Sequence, residues 1–221
     1  MDGKPIPVVY TIGHSNHSIE EFVTLLRQTG VTAVADVRSV PFSRFTPQFD
    51  RPDLKHALKN AGIAYSSLGN ELGARPQNPD CYKNGVALYE RIAATGLFQK
   101  GLDRILRGAR HFTVALMCTE KDPLDCHRNI LVARRLSKQG VTIRHILADG
   151  RIEENEATEQ RLLKVTGEQM PDFFLTPKGS DPLERAYAKR AAEIAYSEPV
   201  GEVEEAGHHE THDHRLYQDY G

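Results

Sequence analysis

The sequence predicts an α/β fold: a mainly parallel sheet of about five strands with helices on both faces. Three observations predict it. Short apolar runs alternate with stretches of helical periodicity through residue 148. The run Val31–Val37 is nearly continuous in apolar residues, as a strand covered on both faces requires. Glycines punctuate the ends of the helical stretches, where a chain must leave the right-handed helical conformation.

Taken in order, Val8–Ile12 is a short strand ending at Gly13. Ser18-Ile19-Glu20-Glu21 is a capping box opening a helix with Ile19, Phe22, Leu25 and Leu26 on one face, and Gly30 fits its C′ position. After the second strand comes a loop rich in proline and aromatics, Ser39–Asp50. Pro52 then sits in the first turn of a helix carrying Leu54, Ala57 and Leu58 toward Gly62. Ile63–Leu68 is a third strand, and Gly69–Gly85 a long irregular stretch. A single helical pattern is expected from about Val86 to Leu106. His111–Met117 is the fourth strand. Asp125 is the expected N-cap of a helix carrying Ile130, Leu131, Ala133 and Leu136, and Val141–Leu147 closes the series.

Composition shifts after Asp149-Gly150. The expected organisation is a core domain over 1–150, a helical extension over 151–197 and an acidic, histidine-rich tail over 198–221, expected to be disordered. The hydrophobic share of 39% and charged share of 26% are those of globular chains. A net charge of −2 gives no overall reason for nucleic-acid binding, although clustered Arg and Lys can still contact phosphate. No run approaches a membrane span, so no membrane partner is expected. Three cysteines form no secreted disulfide framework, and a cytoplasmic location with reduced thiols is expected. The histidines His208, His209, His212 and His214 read as part of a solvated tail.

The polar residues following each strand are His14, Ser15 and Asn16; Arg38; Asn70, Glu71 and Arg75; and the stretch Cys118–Arg128. A parallel sheet turns all of them toward its carboxyl edge, where such sheets bind ligands. Cys126 would occupy the first turn of a helix, where free N–H groups and the macrodipole favour a thiolate. His127 and Arg128 add positive charge, and Arg128 can grip a phosphate or carboxylate. Cys118 lies eight positions before Cys126 and can approach it, or can be a small core residue. Arg38 either lines the ligand edge or pairs with Asp36. Arg44, among Phe42, Phe45 and Phe49, suits a ring and its phosphate, or belongs to a proline-fixed loop folded on the core. His14 could be a general base or simply a hydrogen-bonded loop residue. A metal set of Cys81, Cys118, Cys126 and His127 matches no zinc ribbon or finger, and adjacent ligands at 126 and 127 are awkward in one tetrahedron. No metal and no cofactor is therefore assigned.

Several of these segments resemble the DUF488 family of small bacterial and archaeal proteins. They are Thr11-Ile12-Gly13-His14-Ser15, Asp36-Val37-Arg38 with Pro41-x-Ser43-Arg44, Leu68-Gly69-x-Glu71-Leu72-Gly73, and Met117-Cys118 through Cys126-His127-Arg128. His145–Gly150 is similar to that family's closing segment. The resemblance spans about residues 8–165 and implies no defined activity. It implies a histidine near position 155, where this chain carries Asn155. The Asp-Val-Arg strand and the strand-end Cys118 are more loosely similar to rhodanese-like domains, where a cysteine loop cradles an anion; here the loop to Arg128 is longer.

Three functions follow, in order of preference. The first is a thiol-dependent enzyme using Cys126 or Cys118, with His14 and His127 in support, on a small phosphate-bearing or nucleotide-like anion held by Arg38, Arg44, Glu71, Arg75 and Arg128. The second is a non-catalytic module binding phosphate or nucleic acid. The third is a metal or redox sensor based on Cys118 and Cys126. Oligomeric state is not legible.

Overall fold

The computed structural model describes residues 6–168 and 181–198. The expected tail, apart from Glu198, and most of the stretch from Pro171 to Pro182 lie outside them. The α/β fold is as the sequence predicts, on a six-stranded sheet in the order β3-β2-β6-β1-β7-β8. β1 (Val8–Gly13), β2 (Ala33–Asp36), β3 (Ala64–Ser67), β6 (Val114–Cys118) and β7 (Thr142–Ile146) are parallel. β8 (Ile152–Glu154), absent from the sequence reading, pairs antiparallel with β7. Its three residues are too few to show a strand period.

One face of the sheet is covered by α1 (Ile19–Gln28) and α2 (Arg51–Asn60). Phe22, Leu26, Leu54 and Leu58 pack there on Ile12, Val34, Ala115 and Met117. Ser18 Oγ accepts from the Glu21 amide, and the Glu21 carboxylate accepts from the Ser18 amide, so the predicted capping box is formed. Gly30 then takes a φ of 67°, which a side chain would strain.

The opposite face carries Val9, Ala35, Val37, Leu116 and Cys118. Here the single helix expected from Val86 is replaced by three elements, the first of them the second strand of a hairpin. Tyr82–Lys83 (β4) and Val86–Ala87 (β5) form a hairpin, followed by α4 (Tyr89–Ala93) and α5 (Gly96–Gly108). Asn84 and Gly85 both have positive φ, the Asn-Gly turn that selects a two-residue hairpin. Thr95 starts α5 anew, its hydroxyl accepting from the Phe98 amide. α3 (Gly69–Leu72) packs against α5. α6 (Arg134–Ser137) is preceded by a π-helical stretch, Arg128–Ala133.

α7 (Asn155–Thr166) and α8 (Pro182–Ile194) pack on each other, and Leu162, Leu163, Ala186 and Tyr187 join the same apolar core as α5 and β6. The segment beyond residue 150 thus shares both sheet and core with what precedes it. No helix of the described residues is long and apolar enough to cross a membrane.

Candidate active site at the end of β6

β6 lies between β2 and β1, where the order of connections turns, and its last residue is Cys118. A strand end at such a turn is where an α/β sheet opens a crevice. A cavity of about 170 Å³ lies there, lined by Arg38, Ser39, Val40, Ala74, Arg75, Tyr89, Cys118, Thr119, Glu120, Asp125, His127, Ile194 and Tyr196.

The loop after Cys118 is held from beneath. Arg128 is fully buried; its NH1 donates to the Glu120 carbonyl at 2.6 Å and its NH2 to the Lys121 carbonyl at 3.2 Å. A Cβ on Gly13 would lie 1.8 Å from the Glu120 carbonyl oxygen, so the loop can rest on β1 only over a glycine. Gly13→Ala is therefore expected to displace the Glu120 carbonyl and cost about 1–3 kcal/mol. Urea denaturation checks this, and a loss under about 0.5 kcal/mol would show that the loop yields freely.

Asp125 is not the N-cap the sequence suggests. Asp122 caps a single 3₁₀ turn, Pro123–Asp125, through the Leu124 amide. Cys126 then stays extended at φ −135°, ψ 137°, and its carbonyl accepts from the Asn129 and Ile130 amides. Cys126 is thus itself the N-cap, and its Sγ accepts from the Arg128 amide at 3.4 Å. His127 follows in helical conformation. This break in backbone direction turns two adjacent side chains toward one centre.

That centre contains Cys118, Glu120, Cys126 and His127, whose donor atoms all lie within 4.8 Å of one another. Cys126 Sγ and Glu120 Oε2 are 2.8 Å apart, and Cys118 Sγ is 3.6 Å from His127 Nδ1. The His127 Nε2 is 3.0 Å from the Val37 carbonyl, which only accepts, so Nε2 carries a proton and Nδ1 faces the sulfur. Burial opposes a thiolate at Cys126. It is outweighed by the hydrogen bond from Cys118 and by the charges of Arg128 and His127, which hold Cys126 well below the ordinary thiol range. Burial, then the contact with Cys126 and its charge, hold Cys118 well above that range. The pair thus gives up its first proton easily and its second with difficulty. Glu120 is itself exposed, but local desolvation of its carboxyl beside the sulfurs and the Cys126 charge raise its pKa, so the carboxyl competes for a proton with the sulfur beside it. The four groups offer two sulfurs, a nitrogen and a carboxylate oxygen, a donor set that suits a soft divalent metal.

The predicted site residues divide. Cys118, His127, Arg38 and Arg75 line the cavity; Cys126 does not, but its sulfur lies within 4.8 Å of the Cys118 sulfur. Arg38 makes a two-pronged bond to Asp36 at 2.9 and 2.7 Å and donates to the Phe49 carbonyl and His14, leaving one of its five donors. Asp36 also accepts from Tyr65. Arg75 is exposed at the rim, stacked 4.4 Å over the Tyr196 ring. Arg128 is a floor rather than a wall: its donors face protein carbonyls and Thr11. His14 donates from Nδ1 to the Ser15 carbonyl, accepts from Arg38 at Nε2, and stacks on Phe49 at 4.3 Å. Burial and the charge of Arg38 lower its pKa to about 4, so it stays neutral. Glu71 pairs with Arg104, and Arg44 lies exposed over Phe45; neither lines the cavity. Cys81 is buried outside the cluster, its thiol pushed up by burial.

Sequence reasoning passed over Glu120, Tyr89 and Tyr196. Glu120 sits two residues past a strand-end cysteine, a spacing that could have drawn attention. Nothing local marks Tyr89 or Tyr196, which tertiary packing alone delivers.

Residues 18–135, more than half of the chain, match the family described as Domain of unknown function DUF488. The chain belongs to the DUF488 family. No curated protein and no solved structure matches it. The DUF488 segment holds all four residues of the cluster together with Arg38, Arg75 and Arg128. His14 precedes it. Ile194 and Tyr196, which also line the cavity, follow it.

A second buried network leads away from the cluster. Arg128 Nε donates to Thr11 Oγ1 at 3.4 Å, and Thr11 Oγ1 lies 2.8 Å from His145 Nδ1. His145 Nε2 lies 3.3 Å from Asn155 Oδ1, and Asn155 donates to Glu159, which also accepts from Tyr187. Asn155 thus ties β7 to α7 as a neutral hydrogen-bond partner.

Proposed function

We propose that this DUF488 protein is a thiol-dependent enzyme acting on a small anion, with Cys118 as the sulfur that meets the substrate and Cys126 as its proton acceptor. The observation that carries this reading is Arg128. It is fully buried and makes no ion pair among the described residues, so its charge needs a counter-charge close by. The Cys126 sulfur, at the N-cap of the same helical turn, supplies it. Cys118 rather than Cys126 opens onto the cavity. As Cys118 Sγ bonds to an electrophilic atom of the substrate, its proton passes to the Cys126 thiolate and the leaving group departs with the bonding pair. Arg75 and the remaining donor of Arg38 supply positive charge for a phosphate-bearing substrate at the cavity wall.

Iodoacetamide near neutral pH is expected to label Cys118 at least about tenfold faster than the buried Cys81, with Cys126→Ser removing the advantage. Labelling of all three thiols at one slow rate would sink the proposal.

A further inference from the structure

We infer that Cys118, Glu120, Cys126 and His127 form a binding site for one soft divalent cation of the Zn²⁺ class, held by two sulfurs, the imidazole Nδ1 and a carboxylate oxygen. The sulfurs are those of the thiol reading above, but the inference concerns a different state of them. A tetrahedral zinc ion with bonds of about 2.0–2.3 Å sets its donor atoms roughly 3.3–3.8 Å apart. The four donor atoms here already lie within 4.8 Å of one another, so shifts of about an ångström bring them to that spacing.

Three further features point to a cation. The Val37 carbonyl fixes the proton of His127 on Nε2 and leaves Nδ1 aimed at Cys118, the outer-shell arrangement that orients a ligating histidine. The objection to neighbouring ligands is removed by the backbone: Cys126 is extended and His127 helical, so their side chains converge. The charges also balance. Two thiolates and one carboxylate around a divalent ion leave a single negative charge, and Arg128, with no ion pair among the described residues, lies beneath it. The two sulfurs and the nitrogen discriminate against Mg²⁺ and Ca²⁺, which take oxygen ligands. Cys118, Glu120 and His127 all line the cavity, so the ion has a path in.

The test uses the full-length protein without an affinity tag, titrated with Co²⁺ as a spectroscopic stand-in and then with Zn²⁺. The expected result is one equivalent of Co²⁺ showing tetrahedral d–d bands and a thiolate-to-metal charge-transfer band, displaced by one equivalent of Zn²⁺. Cys126→Ser and Glu120→Gln should each weaken binding by at least the roughly 10–100-fold that loss of an outer-shell partner costs. Substitution of His208, His209, His212 and His214 by Ala should leave the bands unchanged. Octahedral spectra without a charge-transfer band in the wild-type protein would overturn the inference, whether or not the variants fold. So would binding that vanishes with the tail histidines. Iodoacetamide labelling of the same protein before titration, freed of metal by a chelator so that no bound ion shields the thiols, separates the two readings. Fast labelling of a protein that takes up no metal removes the metal site and keeps the enzyme. Metal uptake by a protein whose thiols label slowly keeps the metal site and removes the enzyme.

Discussion

Arg128→Ala is expected to lower the stability of the protein by about 3–5 kcal/mol, as read from urea denaturation. The guanidinium is fully buried, and truncation strands the Glu120 and Lys121 carbonyls beneath the cysteine loop. Each orphaned acceptor costs about 1–3 kcal/mol, and the emptied volume adds a cavity term. Arg128→Lys keeps the charge, but a single ammonium replaces a planar fork that reaches both carbonyls and Thr11, so only part of the loss should return. In the alanine variant the Cys126 sulfur also loses a cation that favours its thiolate, so iodoacetamide labelling should slow together with the fall in stability. A loss below about 1 kcal/mol would mean that the loop is held by other contacts.

Acidification from pH 6.5 to about 4 should destabilise the protein steeply, by about 3 kcal/mol for each of two histidines. His14 and His145 are both fully buried. Burial, with Arg38 for His14 and Arg128 for His145, lowers each pKa from 6.5 to about 4. Below pH 6.5 the unfolded chain therefore binds protons that the folded chain does not, and stability falls with pH. Below about 4 the folded histidines protonate too, and this contribution stops growing. Asp122, lowered below its usual value because its bonds to Arg161 and the Leu124 amide outweigh burial, adds a further loss in more acidic solution. Against a typical total of 5–15 kcal/mol, two such histidines bring the chain close to acid unfolding. His145→Gln removes one titrating group; the slope of stability between pH 6.5 and 4 should fall by about half. An unaltered slope would show that His145 does not titrate between the states.

Much of the fold is legible in the sequence because its signals are local. Ser18 and Glu21 announce α1, apolar runs mark the central strands, and alternation of the two periods gives a parallel sheet. The same logic misleads between Val86 and Leu106, where the helical period runs on past Thr95, although that residue is a local signal for a fresh helix cap. The candidate site is legible in part. That polar residues gather at the carboxyl edge follows from strand direction alone, and it brings Cys118, Cys126, His127 and Arg38 into view. Which groups face the cavity depends on who bonds to whom across long separations. Glu71 pairs with Arg104 and Arg128 turns under the loop. No spacing rule carries those facts, nor the extended backbone that makes Cys126 a cap.

Tyr196 and Ile194 wall a cavity whose chemistry sits on β6 and the turn after it, and the Ser197 bridge to Val86 ties that wall to the small hairpin. During synthesis the enclosure of that cavity must wait until nearly the whole described chain has left the ribosome and α8 has docked. Until α8 docks, the cavity lacks Ile194 and Tyr196, two of the side chains that separate Cys118 and His127 from solvent.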